Sequence, residues 1–196
     1  MSATLIVING PSSAGKSSIV SALQDLWIRP LFASGLDVFI GVWPDSHVAL
    51  PGPDGSPAPE GGMRIVAGVG PAPSWIPEYG DDFHNVMKFA HELWAAMNKG
   101  GIDLVVDHVI LDATIREQAK GTLNNAFWVG VTCDMDELIR REAARGDRRL
   151  GFASGTAPIV HNEMDYDLVV DTTDTPSGVL AHQIYDAVLG RANAST

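Results

Sequence analysis

Apolar residues are arranged along this chain in two alternating patterns. The first is a short run without alternation: Thr4-Leu-Ile-Val-Ile-Asn9, then Ile102 to Asp107, Ala126 to Cys133 and Asp167 to Asp171. Such runs, rich in β-branched residues, predict strands covered on both faces, as in a parallel sheet. The second pattern has helical spacing. Ile19, Val20, Leu23, Leu26 and Trp27 mark one face of a helix beginning at Lys16 and ended by Pro30. Val86, Phe89, Ala90, Leu93 and Met97 mark another, from Asp82 to the stop at Gly100-Gly101. Further helices are expected around Ala113 to Leu123, over Glu137 to Arg145, and after Thr175-Pro176 with Leu180, Ile184, Ala187 and Val188 facing inward. Asp134-Met-Asp-Glu137 resembles a capping box, and Gly146 is the expected stop of the helix it opens. A short second strand is expected to reach Asp37 through Ser34-Gly35-Leu36, followed by a short helix from Val38 to Trp43 that stops at Pro44. Strands alternating with helices predict an α/β fold of three layers, a five-stranded parallel sheet with helices on both faces.

One stretch breaks the alternation. Pro51 to Gly80 holds seven of the twelve prolines and seven of the twenty glycines, interrupted only by Met63-Arg-Ile-Val-Ala67. It reads as a long loop with one hairpin, either a binding loop over the site or a disordered insertion.

The 196 residues, 45% of them hydrophobic, suit a single domain spanning 1–196 with a sizeable core. A formal charge of −11, from 13 basic and 24 acidic residues, disfavours nucleic acid and anionic membranes as partners. Cys133 is the one cysteine and has no internal disulfide partner. With no charged leader, no signal segment and no apolar run near the roughly 18 residues of a membrane span, the expectation is a cytoplasmic protein. The sequence leaves homo-oligomerisation open.

The strongest chemical signal follows the first strand. Gly10-Pro-Ser-Ser-Ala-Gly-Lys-Ser17 has the spelling of a phosphate-binding P-loop, placed between a strand and a helix. In that motif the glycines let backbone N–H groups turn toward the phosphates. Gly10, Ser12, Ser13, Ala14, Gly15, Lys16, Ser17 and Ser18 are therefore the expected nucleotide contacts, with Lys16 spanning the β and γ oxygens and Ser17 offering its hydroxyl to Mg²⁺. Ligands gather at the carboxyl ends of strands in such sheets, which singles out Asp37 and Asp107. Asp37 is a candidate to deprotonate an acceptor hydroxyl, or else the N-cap of the next helix. Asp107 follows Leu-Val-Val like a Walker B acid that would hold Mg²⁺, or else is a strand-end acid bonded to the loop backbone. Arg141, Arg145 and Arg148, spaced i, i+4, i+7, would share one helical face and clamp phosphates if the helix persists beyond Gly146. Alternatively they form a solvated face with Glu137 paired to Arg141. The segment 145–160 would then act as an arginine-rich, mobile lid. The histidines lack metal-ligand spacing; His108, directly after Asp107, reads as a satisfied strand-end residue or else as a substrate contact. Trp43, Trp75 and Trp94 are candidates for an apolar acceptor pocket or for the core.

These motifs together resemble the chloramphenicol phosphotransferase family, small P-loop kinases, over nearly the whole chain. The likeness is carried by Ile8 to Ser17 with its double serine, by Ser34-Gly-Leu-Asp37, by Arg141-Glu-Ala-Ala-Arg-Gly-Asp-Arg148, and by Val160-His161 and Tyr166 to Thr173. The resemblance implies ATP- and Mg²⁺-dependent phosphorylation of a hydroxyl on a small molecule such as chloramphenicol or a related antibiotic. It implies Asp37 as the residue that activates the hydroxyl, and Arg141, Arg145 and Arg148 as stabilisers of the phosphoryl group. The resemblance is less faithful in the middle: the stretch Pro51 to Glu60 looks longer than the family's equivalent, and His108 stands where the resemblance leads one to expect a second acid. Other readings of the same motifs are a metabolite or nucleotide kinase of this fold, or a nucleotide-binding regulatory protein.

Overall fold

The computed structural model describes residues 3–44, 47–49, 61–68, 74–146 and 150–194. Its central sheet comprises β1 (Leu5–Asn9), β2 (Leu31–Gly35), β6 (Asp103–His108), β7 (Phe127–Thr132) and β8 (Leu168–Asp171), in the order β2-β6-β1-β7-β8. All neighbours are parallel, with Ile6 opposite Val105 on one side and Phe127 on the other. The apolar runs are continuous because both faces are covered. Along β1, Ile6 and Ile8 enter one core with Ile19, Leu23, Leu180 and Ile184, from α1 (Lys16–Leu26) and α7 (Ser177–Ala194). Leu5 and Val7 enter the opposite core with Met87 and Trp94 of α3 (Asp81–Lys99) and Ile115 of α4 (Ala113–Thr122). The expected three-layer α/β architecture is thus present.

Several local expectations shift. The second strand ends at Gly35 rather than at Asp37, and α2 (Leu36–Ile40) starts at once, with Asp37 in its first turn. Gly35 is the N-cap, so Asp37 does not cap this helix. α3 buries only part of the expected stripe: Ala90 enters the core and Val86 and Met97 are partly buried, but the core is otherwise made by a neighbouring set of positions. Phe83, Met87, Ala90, His91, Trp94 and Asn98 are buried, whereas Phe89 and Leu93 are 66% and 50% exposed. Trp94 belongs to the core, packed edge-on against Phe39 and bonded through its indole N–H to the Ser34 hydroxyl at 2.9 Å.

In the proline-rich stretch, β4 (Met63–Ala67) and β5 (Trp75–Tyr79) form the expected hairpin, antiparallel with Met63 opposite Tyr79. A short β3 (Val48–Ala49) adds a parallel edge. Residues 51–60 and 69–73 of the stretch lie outside the described residues.

The helix α5 (Met135–Arg145) is capped by Asp134, whose carboxylate accepts from the Asp136 and Glu137 N–H groups. The expected capping box is only half formed, because Glu137 turns to Arg140 and Arg141 instead. Gly146, at φ 67°, closes α5 in the left-handed conformation. The arginine row therefore stops at Arg145, and Arg148 falls outside the described residues. Within the segment expected to act as a lid, α6 (Phe152–Thr156) packs with Ala153, Gly155 and Thr156 buried.

Candidate active site

β1 occupies the middle of the sheet, and the chain leaves it for β2 on one side while β7 lies on the other. The crevice of a doubly wound sheet opens at such a switch, beyond the strand ends. Here the P-loop fills it. Ser13 and Gly15 take left-handed conformations, φ 63° and 80°, which reverse the backbone so that α1 can start at Lys16. The first turn of α1 has no acidic residue and no side-chain cap. Its leading N–H groups have no intrahelical acceptor, and the helix dipole adds positive potential, which favours a bound anion. The hydroxyls of Ser12 and Ser13 are buried without a hydrogen-bond partner. These features fit the phosphates of a nucleotide.

Lys16 is 7% exposed; its ammonium donates to the Pro11 carbonyl at 2.9 Å and lies 3.7 Å from the Asp107 carboxylate. Ser17 donates its hydroxyl to the other Asp107 oxygen at 2.9 Å. A P-loop hydroxyl bonded to a carboxylate at the end of a neighbouring strand is a donor set suited to Mg²⁺, which keeps several waters and takes its remaining ligands from phosphate oxygens. Among the described residues no group of three His, Cys, Asp or Glu side chains could hold a metal alone.

A cavity of about 770 Å³ joins the loop from Ser12 to Ser18 to the segment Ser34 to Val38, and Asp37, Asp107, Arg140, Arg141 and Arg145 also line it. The expected site residues thus converge on one cleft. The exceptions are Gly10, which stands behind the loop, and Arg148, which is not described.

Arg141 has a largely committed guanidinium. It donates to Glu137 (2.7 Å), to the Thr172 hydroxyl (3.1 Å) and to the Thr172 carbonyl (2.6 Å), tying α5 to the end of β8. The Thr172 hydroxyl in turn donates to the Ala14 carbonyl of the P-loop at 2.9 Å. Arg140 was not singled out by spacing, yet it lines the cavity and forks onto Glu137 at 2.5 and 2.7 Å. The hydrogen bonds from Arg140, and then from Arg141, hold the Glu137 carboxyl down at about 2.

Behind α2 lies an aromatic part of the core. Tyr79 stacks on Phe83, ring centroids 4.4 Å apart, and Trp43 leans on Phe83 at 5.7 Å. Burial, with the charges of Asp112 and Asp37 adding to it, pushes the Tyr79 phenol well above its ordinary range and keeps it a hydrogen-bond donor. Asp112 caps α4 and is paired with His84 at 2.6 Å.

A family model described as chloramphenicol phosphotransferase-like protein matches residues 3–189. A protein of Mycobacterium tuberculosis, whose name proposes an O-phosphotransferase, is 30% identical over 186 residues, 93% of this chain and 81% of its own. Among solved structures, the APS kinase of Mycobacterium tuberculosis in complex with AMPPNP and APS superposes with a TM-score of 0.60 at 14% identity, covering 95% of this chain and 98% of that one. A tunicamycin resistance protein of Deinococcus radiodurans gives a TM-score of 0.62 at 12% identity, covering 95% of each chain. At such identities the likeness concerns the fold. The P-loop, the acid behind it and the match over residues 3–189 place this chain in the chloramphenicol phosphotransferase-like family, as a phosphotransferase on the P-loop kinase fold.

Proposed function

We propose that the protein transfers the terminal phosphoryl group of ATP to a hydroxyl of a small, neutral and partly apolar molecule, with chloramphenicol or a related antibiotic as the acceptor. The observation that carries this reading is the single cleft in which Asp37 faces the same space as Lys16, Ser17 and Asp107. Phosphoryl transfer asks little of a protein beyond alignment, charge neutralisation and a group to receive the acceptor's proton.

Those roles divide among this chain's residues. Lys16 and the N–H groups of the loop would hold the phosphates, and Ser17 and Asp107 would hold Mg²⁺, which would supply neutralisation of the phosphate charge. Asp37 takes the proton from the acceptor hydroxyl as its oxygen bonds to phosphorus and the bond to the ADP oxygen breaks. Arg140, Arg141 and Arg145 line the same space and offset the negative charge of the transferring group. Support for a neutral acceptor comes from the segment that follows Asp37. Between Val38 and Gly80 the only lysine or arginine is Arg64, and its guanidinium is paired with Glu78 at 2.5 Å. An anionic acceptor would meet the Asp37 carboxylate in the cleft.

Asp37→Ala tests the assignment. Turnover is expected to fall by about 10² or more, the contribution typical of a general base, while ATP still binds. Full activity in this variant would refute Asp37 as the base.

A further inference from the structure

The P-loop is gripped from both sides by threonine hydroxyls on elements that do not belong to it. Thr172 reaches the Ala14 carbonyl at 2.9 Å, and Thr156 of α6 accepts the Ser12 N–H at 3.3 Å. These contacts bracket Ser13, the non-glycine residue at φ 63°. A side chain in that region costs free energy and persists only where the surroundings over-determine it.

Thr156 is 2% exposed, and its own hydroxyl hydrogen is committed to the Phe152 carbonyl at 2.7 Å. Its lone pair is thereby aimed at Ser12, whose side-chain hydroxyl has no partner. The position of Thr156 depends on α6, which is held at two places. The buried Glu142 carboxylate accepts the Gly151 and Ala153 N–H groups at 2.7 and 2.8 Å, and the Trp75 N–H of β5 donates to the Gly151 carbonyl at 2.9 Å. Gly155 lies so close to β5 that a Cβ there would sit 2.2 Å from the Trp75 carbonyl oxygen.

We propose that Thr156 is a positioning residue for the nucleotide site: it fixes the entrance of the P-loop and, through α6, ties the loop's geometry to the β4–β5 hairpin. The proposal rests on reading the loop as the ATP site. The hairpin, α6 and the loop then move as one body. A disturbance of the α6–β5 contact reaches the phosphates without touching any residue that contacts nucleotide.

The test is calorimetric titration of the whole protein with Mg-AMPPNP in the absence of any acceptor. Thr156→Val, which keeps the shape and loses the hydroxyl, is expected to raise Kd about tenfold, as for a buried N–H left without its acceptor. Thr156→Ser, which keeps the hydroxyl, is expected to stay within about twofold. Gly155→Ala, which forces α6 off β5, is expected to weaken binding in the same direction as Thr156→Val. Wild-type affinity in Thr156→Val overturns the role of Thr156, and wild-type affinity in Gly155→Ala overturns the link to the hairpin. If Thr156→Val does not fold, amide hydrogen exchange in the nucleotide-free wild type decides. The Ser12 N–H is expected to be protected, and exchange at the rate of an open loop would overturn the proposal. Failure of the wild type to bind Mg-AMPPNP would contradict the ATP site itself, with Ser12 exchange still judging Thr156.

Discussion

Lowering the pH from 8 to 5 is expected to remove folding stability through two buried histidines that the proposed chemistry does not use, about 2 kcal/mol of it through His91. His91 of α3 and His108 at the end of β6 are both fully buried, with their Nε2 atoms 3.0 Å apart. The Val109 N–H donates to His108 Nδ1 at 2.9 Å, which assigns the proton of neutral His108 to Nε2, where it is donated to His91. A further proton on Nε2 of His91 would set two N–H groups against each other. Burial lowers His91 from 6.5 to about 4. Burial, then the neighbouring His91 and Lys16, lowers His108 well below its ordinary value. Both groups therefore stay neutral when folded and protonate below about 6.5 when unfolded, so their contribution is complete above that pH and is lost as pH falls toward the folded values. At pH 5 the loss through His91 is about 2 kcal/mol, out of a total stability usually near 5–15 kcal/mol, and His108 acts in the same direction. Most carboxylates remain ionised at pH 5, which isolates the histidine contribution. The assay is urea unfolding at pH 8 and pH 5, for wild type and for His91→Gln, whose side-chain oxygen accepts from His108 without titrating. The variant is expected to lose about 2 kcal/mol less than the wild type across that interval. An equal loss in both proteins would refute the reasoning.

Two further predictions concern the cleft and its support. Ser17→Ala removes the hydroxyl bonded to Asp107, and the Mg²⁺ concentration for half-maximal ATP turnover is expected to rise by about tenfold; an unchanged magnesium titration would remove Ser17 from the metal site. Glu142→Gln replaces one of two accepting oxygens by an amide that faces a backbone N–H, and urea unfolding should show a loss of about 2–3 kcal/mol.

How far the sequence discloses this protein depends on the range of the forces that shape each part. The P-loop is local, eight consecutive residues between a buried strand and a helix, and it was legible in full. The strands of the central sheet were legible because burial on both faces demands continuous apolar runs. β2 was harder. Ser34-Gly-Leu-Asp37 suits a strand end or a helix start, and the acid at Asp37 favours the helix because it lies in the first turn, near the positive end of the dipole. On α3 periodicity marked one stripe, and only packing against the sheet selects Met87 and Trp94 over Phe89 and Leu93. α6 is the clearest case of a structure set from a distance. Its Gly- and Ala-rich sequence has little local preference, and it is held by Glu142, nine to eleven residues earlier, and by Trp75 of another sheet. Thr156 and Thr172 gained their places beside the P-loop the same way, across separations of 144 and 158 residues that no short motif records.

The measurement that bears most directly on the central claim is ADP release by the purified protein with Mg-ATP, with and without chloramphenicol and then related hydroxylated antibiotics, with the products examined by mass spectrometry. Acceptor-dependent ADP release, together with a product heavier by one phosphoryl group that disappears in Lys16→Ala, is the predicted result. Binding of ATP with no phosphorylated product from any neutral hydroxylated acceptor, and turnover only with an anionic metabolite or nucleotide, would contradict it.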